Sequence, residues 1–121
     1  MTKYEIKDKL SEYYRACCEV ACLEKRIEVL TASKLADSEV KERLEELNDL
    51  YKKAVLNADL ALARTLKIIN TLNNTDCDVD VLKKYHIDGL PEKVIAKQLC
   101  LSVGYIRKKR WRAYEKIAKK R

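Results

Sequence analysis

A chain of 121 residues, 37% of them charged and 47% hydrophobic, is long enough for one modest folded domain or for a small module with an extended element. This composition excludes an intrinsically disordered chain and a membrane-embedded one. Only two glycines and one proline occur, so glycine-rich phosphate loops and tight hairpin turns are not expected, and the formal net charge is +7.

The sequence contains no signal for membranes or export. No apolar run approaches the roughly 20 residues of a transmembrane helix, and the opening "MTKYEIKDKL" has no apolar stretch typical of an export signal. We therefore expect a cytoplasmic protein without a membrane partner.

Five cysteines, an odd number without framework spacing, indicate reduced and mostly buried side chains. Cys18 and Cys22 lie one helical turn apart, but no second Cys or His pair accompanies them, so no metal or other cofactor is expected.

The first segment, from about Lys3 to Leu30, has no helix breaker and predicts one long amphipathic helix. Its apolar positions follow a spacing of four and three that only Glu24 interrupts: Ile6, Leu10, Tyr13, Cys17, Val20 and Ile27. The small polar stretch "TASKLADS" at 31–38 then predicts a short loop.

The second segment, which runs to about Leu72, carries a heptad seam over more than four heptads, as in a coiled coil. The seam residues are Val40, Leu44, Leu47, Tyr51, Ala54, Ala58, Ala61, Thr65, Ile68 and Leu72. Two long helices joined by a short loop predict an antiparallel helical hairpin over residues 1–75. One apolar side of a hairpin stays open, so it must dock on the rest of the chain or on a second copy. A homodimer through the hairpin is the expected self-interaction.

The polar stretch "NNTDCD" at 73–78 separates the hairpin from a second part, residues 76–121. Three short helices are predicted there. The first spans Asp78 to His86 and ends near Gly89. The second runs from Pro91 to about Cys100, and the third follows Ser102, a favourable N-cap. The connection between the last two is very short, which is typical of a helix-turn-helix. The predicted fold is all-α, with a long N-terminal helical hairpin followed by a three-helix helix-turn-helix module.

The stretch "VLKKYHIDGLPEKVIAKQLCLSVGYIRKKRWRAYEKI", residues 81–117, resembles region 4 of bacterial sigma factors, which is a DNA-binding helix-turn-helix. The whole layout resembles small phage-encoded transcriptional regulators of Gram-positive hosts, the ArpU-like late regulators. The resemblance implies a sigma-like module, DNA binding, a role in transcription and a phage or mobile-element origin. The matching positions are Val81, Leu82, Ile87, Gly89, Leu90, Ile95, Ala96, Leu99, Leu101, Ser102, Ile106, Ala113 and Ile117.

Four positions depart from the sigma-like pattern. Cys100 stands where the turn usually has glycine, a position that often needs a positive φ and costs other residues on the order of 1 kcal/mol. Lys84 and Arg110 occupy positions that are usually apolar. We expect Arg110 to point partly inward and to pair with an acid such as Asp80. His86, the single histidine, replaces an aromatic core residue, so packing in the core or at its boundary is its expected role.

The last helix carries the charge of the whole chain. Residues 103–121 hold nine bases and one acid, a local charge of +8 against +7 overall. Advancing 100° per residue from Ile106 places Ala113 and Ile117 on the core side and basic residues outside. This charge, together with the predicted helix-turn-helix, indicates double-stranded DNA as the partner. The predicted DNA-binding residues are Lys93, Lys97, Ser102, Gly104, Tyr105, Arg107, Lys108, Trp111 and Arg112.

These residues divide by expected role. Arg107 and Lys108 lie near the helix start, where side chains reach base edges in the major groove. Ser102 and Tyr105 can donate to phosphates, as can Lys93 and Lys97 on the preceding helix. Gly104 would allow close approach. Trp111 has two open interpretations: it meets DNA, or the N-terminal hairpin covers it.

The function expected is that of a sequence-specific transcriptional regulator that reads the major groove with the helix after Ser102, with RNA polymerase as a candidate partner. One alternative is a phage small terminase subunit, which recognises DNA for packaging and assembles into a ring. Another is an adaptor that binds RNA polymerase or a sigma factor without reading DNA. An enzyme is not expected, because no nucleophile–base pair or carboxylate cluster accompanies the single histidine.

Overall fold

The computed structural model describes residues 1–33, 38–72 and 77–120, and these residues fold as helices with no strand among them. The expected all-α class is therefore confirmed. No helix in the described ranges is both long enough and apolar enough to cross a membrane. The helices are α1 (Lys3–Leu10), α2 (Glu12–Ala32), α3 (Ser38–Ile69), α4 (Asp78–His86), α5 (Glu92–Leu99) and α6 (Val103–Lys120).

The predicted single helix from Lys3 to Leu30 is wrong, because the chain forms two helices that meet at Ser11. Thr2 begins α1 with a capping box, in which its hydroxyl accepts from the Glu5 amide at 3.2 Å. At the other end the Ser11 hydroxyl donates to the Lys7 carbonyl at 2.9 Å. Such a bond from serine to the preceding turn competes with the helix ladder and bends or interrupts helices.

The heptad seam of the second segment lies in the interior as predicted. All ten of its positions are buried or partly buried, although α3 ends at Ile69 and Leu72 follows in a turn. The middle of the seam is alanine, with Ala54, Ala58 and Ala61 each no more than 8% exposed. Small side chains on this stripe let neighbouring helices approach closely.

Residues 15–61 form one compact unit, which contains most of α2 and α3. Its core joins Leu23 of α2 to Leu47 and Ala54 of α3. At its edge the Tyr51 hydroxyl donates to Glu24 Oε1 at 2.9 Å. Glu24 interrupts the apolar pattern of α2, so this bond gives the interrupting carboxylate a partner.

The other compact unit combines residues 1–14 with residues 62–121. Its main core joins α1, the end of α3, α4 and α6, and a second cluster joins α4, α5 and α6. Of the short loop expected at 31–38, residues 34–37 lie outside the described residues, as does the boundary expected between residues 75 and 76. The buried side chains of the main core are Ile6, Leu10, Ile68, Ile69, Leu72, Val79, Leu82, Ala113, Tyr114 and Ile117.

The cysteines do not serve the core as predicted. Cys18, Cys22, Cys77 and Cys100 are exposed and Cys17 is only partly buried, and all five are free thiols. On α2 the buried positions are Ala16 and Leu23 instead. The apolar character of cysteine therefore misled the prediction.

Candidate nucleic-acid interface

The turn between α5 and α6 is fixed by two local features. Cys100 ends α5 in the left-handed conformation, with φ 57° and ψ 42°, and the Leu101 amide donates to the Ala96 carbonyl at 2.9 Å. A left-handed residue followed by this bond is the usual helix-ending motif. Ser102 then begins α6, because its hydroxyl accepts from the Tyr105 amide at 3.1 Å. The predicted N-cap is thereby confirmed, and the Ser102 side chain serves this cap.

One face of α6 is anchored in the core. Ile106 and Ile117 are fully buried and Ala113 is 1% exposed. Ile106 packs with Ile95 and Val81, while Ala113 and Ile117 pack with residues of α1 and α4. The burial of these side chains fixes the rotation of α6 about its axis and so decides which bases point away from the core.

The opposite face of α6 lines an open groove, and we call it the outer face. It consists of Gly104, Arg107, Lys108, Trp111, Arg112 and Glu115. Five of the nine predicted DNA-binding residues lie together here. Ser102 and Tyr105 are exposed at the start of the same helix, and Lys93 and Lys97 are exposed on α5. A Cβ built on Gly104 would meet no atom within 4 Å, so this position is open as expected.

Four bases of α6 point elsewhere. Lys109 is 8% exposed, and its amine lies 3.1 Å from Asp78 Oδ1. Lys116 approaches Asp78 Oδ2 at 2.7 Å, and Lys120 donates to the Thr71 carbonyl at 2.8 Å. Arg110 is buried as well, at 6% exposure. The charge of α6 therefore divides into bases that stabilise the fold and bases that remain available.

Arg110 belongs to a buried polar network that joins α4, α5 and α6. Its guanidinium lies 4.2 Å from the centre of the Tyr85 ring and donates to the Tyr114 hydroxyl at 3.2 Å. Arg110 therefore lies inward and pairs with an acid, as expected, but that acid is Glu92, at 3.5 Å, and not Asp80. Asp80 is exposed on α4.

His86 is buried in the same network, in agreement with its expected packing role. Its Nε2 lies 2.6 Å from the Tyr114 hydroxyl. Burial, followed by the charges of Arg110 and Lys7, lowers the pKa of His86 from 6.5 to about 4. Burial also raises the pKa of Tyr114 to about 12, against the opposing effect of Arg110. Both groups are therefore neutral at pH 7, and Tyr114 can donate to Nε2 while it accepts from Arg110.

Arg107 and Lys108, the two expected base-reading side chains, differ in their surroundings. Arg107 is 60% exposed and lies 3.3 Å from Glu92. Lys108 makes no hydrogen bond or ion pair with any residue that the structure describes, and the same holds for Arg112. The Glu92 side chain is only 16% exposed, but it also pairs with Arg110 at 3.5 Å, so it keeps a cationic partner when the exposed Arg107 turns to another one.

Trp111 is partly buried and is covered on one side by the N-terminal helix. The Tyr4 ring of α1 packs against it edge-on at 5.6 Å between centroids. The Lys7 amine lies 5.4 Å from the centre of its ring. Trp111 nevertheless lines the groove of the outer face. Cover by an N-terminal helix and a position on the proposed DNA-facing surface are therefore compatible.

The apolar pattern over residues 3–30 did not associate α1 with this surface, because it predicts a single longer helix. Lys3, Lys7 and Glu115 are residues of this surface that are absent from the predicted DNA-binding set. The only available signal was Ser11, a weak helix breaker that also occurs inside helices. Comparisons of the chain with protein-family models, with curated proteins and with solved structures find no match. The proposal of a function therefore rests on the geometry and on the sequence pattern.

Proposed function

We propose that this protein is a sequence-specific double-stranded-DNA-binding transcriptional regulator, built as a helical hairpin with a helix-turn-helix module in which α6 enters the major groove. The observation that carries the proposal is the division of the α6 bases. Lys109 and Arg110 are buried in the fold, whereas Arg107, Lys108 and Arg112 remain on one exposed face. A helix that retains cationic side chains on one open face is suited to a groove flanked by phosphates.

Each exposed side chain has a role in this proposal. Arg107 and Lys108 contact base edges, where an arginine can bind guanine at two points. Arg112, one turn further along the outer face, binds a phosphate. Lys93 and Lys97 are exposed on α5, the helix that precedes the groove-reading helix and crosses the DNA backbone in such modules. The Tyr105 hydroxyl is a further phosphate donor, since 43% of this residue is exposed.

A binding series on two kinds of duplex tests the proposal. Selection from random duplexes first identifies a preferred site. Arg107→Ala and Lys108→Ala should then each weaken binding to that site by about 1–3 kcal/mol, roughly 5- to 150-fold, and hardly change binding to random duplex. Lys119, which is exposed in the last turn of α6, would contact only phosphates. Lys119→Ala is therefore the matched control, because loss of a phosphate contact weakens binding to every sequence alike.

Folding of each variant is checked by thermal melting. If Arg107→Ala and Lys108→Ala stay folded and bind the preferred site as the wild type does, α6 does not read bases. If the wild type binds no duplex at low salt, the protein is not a DNA-binding protein, and an adaptor that contacts RNA polymerase becomes the better hypothesis.

The proposal includes a homodimer through residues 15–61. Large apolar side chains remain exposed in this unit: Val29 is 62% exposed, Leu56 60% and Leu60 51%. A dimer would place two modules on half-sites about 34 Å apart or a multiple of that distance. Sedimentation should give a dimer at micromolar concentration. A monomer at high micromolar concentration would remove the dimer from the proposal, and a large ring would favour the terminase alternative. A phage or mobile-element origin rests on the sequence resemblance alone.

A further inference from the structure

The N-terminal helix α1 is packed firmly beside α6. Its apolar side chains Ile6 and Leu10 are fully buried in the core that also contains Tyr114 and Ile117. Removing two large apolar side chains from water stabilises their packed position. The position of α1 is therefore set by packing and does not depend on surface charges.

The polar side of α1 borders the groove of the outer face. The Lys3 amine lies 3.2 Å from Glu115 Oε1, and the Lys7 amine lies 5.4 Å from the centre of the Trp111 ring. Glu115 and Trp111 both line that groove together with Lys108. The two lysines consequently extend the basic surface of α6 sideways onto a second helix.

Lys3 and Lys7 change the charge of this surface in different ways. Glu115 is the single acid of α6, and its ion pair with Lys3 neutralises the one negative group on the outer face. The Lys7 amine forms no hydrogen bond or ion pair with any residue in the described ranges, and contacts an aromatic ring instead. Its charge is therefore available to an anion.

The dimensions of DNA make a second contact at this place physically reasonable. The major groove is about 12 Å wide, and a helix with its side chains is about 10–12 Å in diameter, so α6 would fill it. A helix packed against α6 at a typical distance of about 8–10 Å between axes cannot enter the same groove. It lies instead over the phosphates that border the groove.

From these contacts we infer that α1 is a second DNA-contacting element, in which Lys7 binds a phosphate bordering the groove that α6 enters. Lys3 supports this contact by neutralising Glu115, so that no uncompensated carboxylate of the outer face meets the backbone. The inference rests on the proposed function and extends it from one helix to two.

The salt dependence of binding to random duplex tests the role of Lys7. Lys7→Gln should reduce the slope of log affinity against log salt by about 0.9. Equivalently, its affinity deficit relative to the wild type should shrink about 3-fold between 50 and 200 mM salt. Lys7→Arg keeps the charge and should keep the wild-type slope. The matched control is Lys9→Gln on the same helix, which borders a different groove, with Arg64 and Lys67 of α3, and should leave the slope unchanged.

Glu115→Gln gives an independent test with the opposite sign. It removes the carboxylate and frees Lys3, so it should tighten binding to every duplex several-fold and raise the slope by up to about one unit. If Lys7→Gln keeps the wild-type slope while Arg112→Gln, which removes a proposed phosphate contact of α6, lowers it, α1 does not touch DNA, although the proposed function stands. If neither the wild type nor any variant binds duplex, the proposed function itself has failed.

Discussion

Asp78 joins α4 to α6, and its removal should be among the most destabilising single changes in the chain. The residue is 2% exposed and accepts from two lysines, Lys109 at 3.1 Å and Lys116 at 2.7 Å. In Asp78→Ala, the buried Lys109 amine loses its acidic partner, which costs about 3–5 kcal/mol in buried pairs. The half-exposed Lys116 adds at most about 1 kcal/mol. We expect a loss near 3 kcal/mol, because an amine at the edge of the core can rotate toward water.

Urea denaturation followed by circular dichroism measures this loss, with Asp80→Ala as the matched control. Both aspartates lie in the first turn of α4, where a negative charge favours the helix by about 0.3–1 kcal/mol, but Asp80 is exposed. The difference between the two variants therefore isolates the buried pair. Adding Lys109→Met to Asp78→Ala should restore part of the stability, since it removes the uncompensated charge. A difference below about 1 kcal/mol between the two alanine variants would refute the reasoning.

Further predictions concern His86 and the backbone at two cysteines. Because the pKa of His86 is about 4 in the fold and 6.5 when unfolded, the unfolded chain takes up the proton first as the pH falls. The neutral His86 contributes fully to the free energy of unfolding above pH 6.5. This contribution should be lost progressively as the pH falls toward 4, by up to about 3 kcal/mol. The loss is measured against His86→Gln, unfolded with urea at the same pH values. Cys77 and Cys100 have φ of 61° and 57°, a conformation that glycine adopts without strain. Cys77→Gly and Cys100→Gly should therefore each raise the free energy of unfolding by up to about 1 kcal/mol, seen as a higher urea midpoint. A lowered midpoint would contradict the strain argument.

The parts of the fold that depend on local pattern were predictable from the sequence. The heptad seam predicted which side of α3 is buried, because a spacing of four and three can only face one direction on a helix. Ser102 predicted the start of α6 through its capping bond. The resemblance to sigma factor region 4 implied a position with positive φ at Cys100, and the φ of this residue is 57°.

The parts that depend on which elements meet were not predictable. Lys109 carries a charge and reads as exposed, yet it is buried because the first residue of α4, Asp78, packs against it. For Arg110 an acid such as Asp80 was expected as the partner, but the partner is Glu92 at the start of α5. The position of α5 beside α6 does not follow from the apolar periodicity of either helix. Likewise, the apolar pattern over residues 3–30 predicts one helix, whereas the chain breaks at Ser11 and the apolar side chains of α1, Ile6 and Leu10, are buried in the core with α6.

The unit formed by residues 1–14 and 62–121 is discontinuous along the chain, and this has a consequence for folding. Its main core includes both Ile6 and Ile117, so it cannot be completed until nearly all of the polypeptide is present. Residues 15–61, in contrast, make their core from contacts close in sequence, and such contacts form fastest because little chain entropy is lost. During synthesis, α1 would therefore emerge before its partners in α4 and α6 and pack late, with its apolar face exposed in the meantime. In pulsed hydrogen exchange during refolding, we expect the amides of α3 near Leu47 to gain protection before those of α1.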